Sequence, residues 1–231
     1  MNEHGASAKV SSKAALGLAN LVVVLGAVLF APAGTLRWVQ GWVFLGLFSG
    51  SSLAITIYLA RKDPALLERR IQAGPVAEKE WIQKIIQGLA GVSFLSTLVV
   101  PALDHRFRWS SAPVAVVVAG DALTALCFAI VFLAFRANTF SSSTIEVADD
   151  QRVISTGPYA IVRHPMYAGG LLLFIGTPLA LGSYWGMLVF VAALPALLWR
   201  LLNEEAFLAE KLPGYVAYCA SVRWRLIPGI F

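Results

Sequence analysis

A short stretch near residue 160 concentrates the polar side chains that the rest of an apolar sequence lacks. Residues 157–170 read Gly-Pro-Tyr-Ala-Ile-Val-Arg-His-Pro-Met-Tyr-Ala-Gly-Gly. The Gly-Pro pair interrupts regular helix, and Pro165 fits the first turn of a helix that follows. Arg163 and His164 would then lie at a helix N-terminus, which favours a negatively charged ligand group. An alternative interpretation is an interfacial loop anchored by its Arg and Tyr side chains.

A second polar group, Arg200, Glu204 and Glu205, follows an apolar run further along the chain. Arg200 and Glu204 are four residues apart and share one helix face. A carboxylate can pair with an ammonium group, and an arginine can hold a carboxylate. The alternative is a solvated salt bridge at the end of a membrane span. The sequence contains neither a Gly-rich phosphate loop nor Cys/His metal spacing, so we expect no metal ion.

The composition indicates an integral membrane protein. The chain has 231 residues, of which 58% are hydrophobic and 13% charged, and its mean hydropathy is +0.72. Soluble domains carry about 25% charged residues. We expect a single membrane-embedded domain over residues 1–231. The net charge of +5 does not indicate a nucleic-acid partner, because the Lys and Arg residues flank apolar runs and form no continuous basic face.

Apolar periodicity predicts an all-α, polytopic fold with about six transmembrane helices. The six apolar spans are 14–31, 42–60, 85–103, 113–135, 167–181 and 184–202. Gly182-Ser183 alone connects the last two, which predicts a tight helical hairpin. Asp63 and Pro64 fit the N-cap and first position of a short interfacial helix. A signal peptide is the alternative for the first span, but its length and the spans that follow favour a retained helix.

The distribution of positive charge predicts the topology. Of the 18 Lys and Arg residues, 15 fall in alternate segments on one side of the six spans and 3 on the other. Because Lys and Arg favour cytoplasmic loops, we expect both termini, residues 157–170 and residues 203–231 to face the cytoplasm.

The short hairpin connection predicts that the two polar groups meet. If the two helices fold back on each other, Arg163 and His164 lie beside Glu204 and Glu205. Span 167–181 would be about 22 Å long, which is less than the ~30 Å hydrocarbon core of a bilayer. Its cytoplasmic end should therefore be buried in protein, because irregular backbone at membrane depth is tolerated only there or around a cavity. We expect a pocket at the cytoplasmic edge of the bilayer.

The motifs also carry a family resemblance. Four motifs together resemble the isoprenylcysteine carboxyl methyltransferase family, most strongly over residues 136–228. They are Gly157-Pro158-Tyr159, Val162-Arg163-His164-Pro165-Met166-Tyr167 with Gly169, Glu204-Glu205-x-x-Leu208, and Pro213-Gly214-Tyr215 with Tyr218 and Val222-Arg223. Residues 61–67 resemble its bacterial branch. The wider group includes phospholipid N-methyltransferases. The resemblance implies a methyltransferase of the bacterial inner membrane that uses S-adenosyl-L-methionine, releases S-adenosyl-L-homocysteine and has its cofactor site mainly in residues 136–231.

The resemblance further implies residue roles. The positions that match cofactor-binding residues are Gln151, Arg152, Val153, Ile154, Tyr159, His164, Pro165, Met166, Tyr167 and Glu204. Arg200 matches an arginine that contacts the substrate. The sequence departs from the family pattern at Gln151, where His is common, and at Glu146, where Gln is common.

The expected chemistry fits these side chains. Glu204 can pair with the cofactor's ammonium group and His164 can hold its carboxylate. Methyl transfer is an in-line displacement, so catalysis mainly requires orientation. A carboxylate acceptor needs no general base and can be oriented by Arg200, whereas an amine or thiol must lose a proton, to Glu205 or His164. We therefore predict Arg200 and Glu205 as catalytic residues.

The expected acceptor is lipophilic, most simply a carboxylate of the isoprenylcysteine type that is O-methylated, and membrane lipids are the expected surroundings. Alternative acceptors are a phospholipid amine, a thiol or a small isoprenoid. An alternative of another class is a non-enzymatic membrane scaffold or transporter, which would bind no cofactor.

Overall fold

The computed structural model describes residues 3–71, 81–141 and 151–231, with the side chains of the first helix described from Lys13 onwards. Every regular element in these ranges is helical. The helices are α1 (Glu3–Ala33), α2 (Val39–Lys62), α3 (Pro64–Ile71), α4 (Trp81–Phe107), α5 (Val114–Ala137), α6 (Pro165–Ala180), α7 (Gly186–Lys211) and α8 (Tyr215–Ser221). A single 3₁₀ turn, Gly157–Ala160, precedes α6.

The predicted polytopic helical fold is confirmed. Five helices, α1, α2, α4, α5 and α7, are long and apolar enough to cross a membrane, and α6 is a shorter apolar helix of 16 residues. The predicted start of α6 at Pro165 and its tight connection to α7 are both present. Gly182 makes that connection with a positive φ of 79°, a conformation in which glycine carries no steric penalty.

Small residues let α6 pack unusually close to α5. Gly176 lies against the carbonyl of Gly120 and the hydroxyl of Thr124. Gly169, about two turns nearer the N-terminus of α6, lies against Cys127. Close backbone approach through small residues is the usual way in which membrane helices associate, because lipid offers little hydrophobic driving force between helices. The short helix is thus supported along its length by α5.

The far end of α6 is embedded in the main apolar core. Ala180 and Leu181 belong to the cluster that contains Leu29 of α1, Phe44 of α2 and Leu98 of α4. A buried carboxylate also fixes this end, because Asp104 accepts hydrogen bonds from the hydroxyl groups of Ser110 and Ser183. The α6–α7 connection is therefore tied to the end of α4.

The interfacial helix α3 is tied to the end of α5. Oδ1 of Asp63 accepts a hydrogen bond from the N–H of Leu66 at 2.9 Å, which confirms Asp63 as the predicted N-cap. Leu66 and Leu67 are buried against Phe135 of α5. Arg69 donates to the carbonyl of Thr139 at 2.6 Å. These contacts hold α3 beside the segment that leads into the polar region.

We predict that Gly120→Ala destabilises the protein. A Cβ at this position would lie 2.2 Å from the backbone nitrogen of Ala180, which belongs to the opposing helix and cannot move independently. Overpacking of this kind costs about 2 kcal/mol, which should lower the thermal unfolding midpoint in detergent by about 5 °C.

Gly46→Ala is the matched control, because a Cβ at Gly46 would meet no atom within 4 Å. It should leave the unfolding midpoint unchanged or slightly higher, since alanine favours helix over glycine. Equal midpoints for the two variants would contradict the close α5–α6 packing.

Candidate active site

The α6–α7 hairpin brings the two polar groups into direct contact. The hydroxyl of Tyr167 donates to Oε2 of Glu204 at 2.5 Å. Arg163 Nη1 lies 2.8 Å from Oε1 of Glu205, and Nε2 of His164 lies 3.2 Å from the same oxygen. The start of α6 and the end of α7 therefore meet side by side, as the short connection predicted.

A cavity of about 440 Å³ opens at this junction. This volume is in the range of sites for cofactors and other small molecules. Every residue that the sequence analysis assigned to the cofactor lines it, namely Gln151, Arg152, Val153, Ile154, Tyr159, His164, Pro165, Met166, Tyr167 and Glu204. Arg200 also lines the cavity. The structure thus collects these residues around one space, and their binding roles stay predictions.

Glu205 does not belong to the cavity lining, although Glu204 does. Both of its oxygens are engaged: Oε1 contacts Arg163 and His164, and Oε2 accepts a hydrogen bond from Nε of Arg225 at 2.7 Å. Burial alone would raise the pKa of the Glu205 carboxyl, but the hydrogen bond with His164 and the two arginines hold this pKa well below its usual value, so the carboxylate is a weak proton acceptor. These contacts favour a positioning role for Glu205 over the predicted role of general base.

Two arginines from different helices face the cavity. Arg200 of α7 donates from Nη1 to Oε1 of the buried Gln83 of α4 at 3.3 Å. Arg70 of α3 places its guanidinium 5.0 Å from the centre of the Phe135 ring. Burial lowers the pKa of Arg70 from its usual value. A cavity with arginine on two sides suits a ligand with an anionic group.

Besides Tyr167, three tyrosines supply hydroxyl groups around the same space. The hydroxyl of Tyr218 donates to the carbonyl of Tyr159 at 2.7 Å, which ties α8 to the 3₁₀ turn. Burial raises the pKa of Tyr159, Tyr215 and Tyr218, so all three remain protonated donors at neutral pH. Of these three tyrosines, only Tyr159 was assigned a site role from the sequence.

The residues present fit the implied cofactor. Within the ranges that the structure describes, Oη of Tyr215 and Nε of Arg163 are buried without a hydrogen-bond partner, and both residues line the cavity. Unpaired buried donors are costly unless a ligand satisfies them. Together with the Glu204 carboxylate they match the carboxylate and ammonium groups of an amino-acid moiety.

Residues 115–213 match the family described as phospholipid methyltransferase. The match spans α5 to the end of α7. It therefore includes the α6–α7 hairpin and the cluster of Arg163, His164, Glu204 and Glu205, which we call the polar corner. It covers less than half of the 231 residues. No curated protein gives a significant match. The family match supports a membrane methyltransferase, and it leaves the isoprenylcysteine branch a prediction.

Some residues of the site were not predicted from the sequence. Arg70, Tyr215 and Tyr218 line the cavity, and Arg225 reaches Glu205, although no local spacing marks them as partners. Tyr215 and Tyr218 stand in a motif that carries the family resemblance, which is the one sequence signal for them. The predicted departure at Glu146 lies outside the described residues.

We predict that Glu205→Ala strongly destabilises the protein even without any ligand. The substitution leaves Arg163, His164 and Arg225 without their shared carboxylate, and Glu205 has a side chain only 11% exposed. Removing one partner of a buried ion pair costs about 3 kcal/mol. Thermal unfolding in detergent measures this loss.

Glu210→Ala is the control, because it removes the same charge from the same helix where the side chain is 70% exposed and pairs with Lys211. It should change the unfolding free energy by less than about 0.5 kcal/mol. A Glu205→Ala protein as stable as this control would show that the network contributes nothing.

Proposed function

We propose that this protein is a membrane methyltransferase that uses S-adenosyl-L-methionine and transfers its methyl group to a lipophilic acceptor. The observation that carries the proposal is the cavity where α6 and α7 meet, which is lined by the Glu204 carboxylate and by Arg163 and Tyr215, two residues with unpaired buried donors. The match to phospholipid methyltransferases over the same helices supports the reaction class.

The side chains divide the work of binding. The cofactor, when bound, supplies an electrophilic methyl group on a sulfonium. Glu204 holds the ammonium end of its amino-acid moiety. Arg163 and His164 before α6, together with Tyr215 of α8, hold the carboxylate end. Leu197, Leu208 and Leu212 complete an apolar wall, which limits competing water.

The acceptor that the geometry favours is a carboxylate on a lipophilic carrier, as in isoprenylcysteine O-methylation. Arg200 lines the cavity from α7 and its guanidinium can orient a carboxylate through two hydrogen bonds. A carboxylate requires no proton removal. A carboxylate acceptor therefore suits a site in which the Glu205 carboxylate is already paired with Arg163, His164 and Arg225 and is not needed as a base.

A phospholipid amine is the second candidate acceptor, because the matched family is that of phospholipid methyltransferases. Its phosphodiester would face the same arginines, Arg70 and Arg200. An amine must also lose a proton, so this acceptor requires a base in the cavity. Among the described lining residues, Glu204 and His164 are the groups that could take that proton.

We place the cavity on the cytoplasmic side of the bacterial inner membrane. The support for the cytoplasmic side is the charge asymmetry, with 15 of the 18 Lys and Arg residues in segments on the cavity side. The bacterial inner membrane is what the family resemblance implies.

Cofactor binding tests the site. Purified protein in detergent should bind S-adenosyl-L-homocysteine by titration calorimetry, and Glu204→Ala and His164→Ala should each weaken binding at least about tenfold, as expected for loss of a charge-assisted contact. Glu210→Ala, exposed on the same helix, should bind like the wild type. Wild-type affinity in both cavity variants would refute the site assignment.

Transfer of a labelled methyl group to membrane extract tests the acceptor. Release of the label as volatile methanol on base treatment identifies a methyl ester, and label that stays non-volatile on a phospholipid headgroup identifies N-methylation. For a carboxylate acceptor we expect Arg200→Lys to raise the KM for the acceptor about tenfold, because the bidentate contact is lost, with cofactor affinity unchanged. An unchanged KM would remove Arg200 from acceptor recognition.

A further inference from the structure

The last ten residues, 222–231, which we call the tail, run directly along the polar corner. The carbonyl of Trp224 accepts a hydrogen bond from the N–H of Arg163, and the carbonyl of Arg225 accepts one from the N–H of His164, each at 2.9 Å. The carbonyl of Arg223 accepts a third from Nη2 of Arg163 at 2.7 Å. The tail thus pairs with the backbone of the two residues that precede α6.

These backbone contacts satisfy groups that have no other regular partner. His164 is the N-cap of α6, and amides at a helix start lack acceptors within the helix. His164 is only 5% exposed, so water is a poor substitute. Val222 and Leu226 are buried on either side of the contact and hold the tail in place. The corner is therefore built from two distant parts of the chain.

Arg225 adds a side-chain contact to the same corner. Its Nε donates to Oε2 of Glu205 at 2.7 Å, while Oε1 of that carboxylate faces Arg163 and His164. Because a carboxylate only accepts hydrogen bonds, Nε2 of His164 must carry a hydrogen in this contact. With one oxygen fixed by Arg225, the carboxylate cannot turn away from His164.

We propose that Arg225 and the backbone of residues 223–225 are positioning elements of the cofactor site. Arg225 holds Glu205, Glu205 holds His164 and Arg163, and these two residues form part of the cavity wall. Arg225 itself is not among the residues that line the cavity. The inference rests on the proposed function, since the cavity is taken as the cofactor site. It extends that site beyond the matched residues 115–213.

Titration calorimetry with S-adenosyl-L-homocysteine tests the inference. Arg225→Met keeps the side-chain length and removes the charge and donors, and should raise the dissociation constant about tenfold, in line with a lost charge-assisted contact. Arg225→Lys should recover most of the affinity, because an ammonium group can also pair with a carboxylate. Lys211→Met is the charge-matched control, since Lys211 is 54% exposed and pairs with Glu210.

A double-mutant cycle with Glu205→Gln separates positioning from a general structural effect. If Arg225 acts through Glu205, adding Arg225→Met to Glu205→Gln should change the affinity by less than about twofold. Wild-type affinity in Arg225→Met, or a full tenfold loss in both backgrounds, would overturn the inference. If Arg225→Met does not fold, as shown by the absence of a cooperative unfolding transition, Arg225→Gln is used in its place. The same changes in cofactor affinity are then expected.

Amide hydrogen exchange without ligand tests the tail contact itself. The amides of Arg163 and His164 should exchange slowly in the wild type and about tenfold faster in Arg225→Met. Fast exchange in the wild type would overturn the inference whatever the binding result. Failure of the wild type to bind cofactor would instead refute the proposed function, and the positioning role with it, even if the amides are slow.

Discussion

Backbone amides and carbonyls inside a bilayer need partners, and this requirement governs the two ends of α6. The helix has 16 residues, so at 1.5 Å per residue it spans about 24 Å, which is less than the ~30 Å apolar core. Its ends must therefore be supplied with polar partners by the protein. At one end, the carbonyls of Leu179 and Pro178 accept hydrogen bonds from the N–H groups of Gly182 and Ser183. At the other end, tail carbonyls accept the N–H groups of Arg163 and His164.

The cavity follows from this arrangement. A helix too short to cross the apolar core leaves space beyond its first turn, and here that space is enclosed by the 3₁₀ turn, α3, α8 and the end of α7. The charges that line it are held by protein groups, as Gln83 holds Arg200. A polar cavity surrounded by apolar helices makes its electrostatic contacts stronger than they would be in water. The short length of α6 thus accounts both for the polar contacts at its two ends and for the polar cavity beside its first turn.

The sequence predicted the elements that depend on local signals. Apolar runs located the long helices, Pro165 located the start of α6, and Gly182-Ser183 located the hairpin turn. From the hairpin alone, the meeting of Arg163 and His164 with Glu204 and Glu205 could be predicted, because a short connection leaves few geometries. Arg225 and Tyr215 could not be found in this way. Their contacts join residues far apart in the chain, and no periodicity or motif spacing encodes such a distance.

The adjacent glutamates show a second limit of sequence reasoning. Glu204 and Glu205 look equivalent in a sequence, yet neighbouring side chains on a helix point about 100° apart. Glu204 therefore lines the cavity, whereas Glu205 pairs with Arg163 and Arg225. Glu204 faces the cavity in which we propose the ligand binds, whereas Glu205 contacts Arg163 and His164 instead. Loss of activity on replacing either residue would look the same in a transfer assay. Only measurements that separate ligand affinity from folding stability distinguish a group that contacts the ligand from one that holds such groups in place.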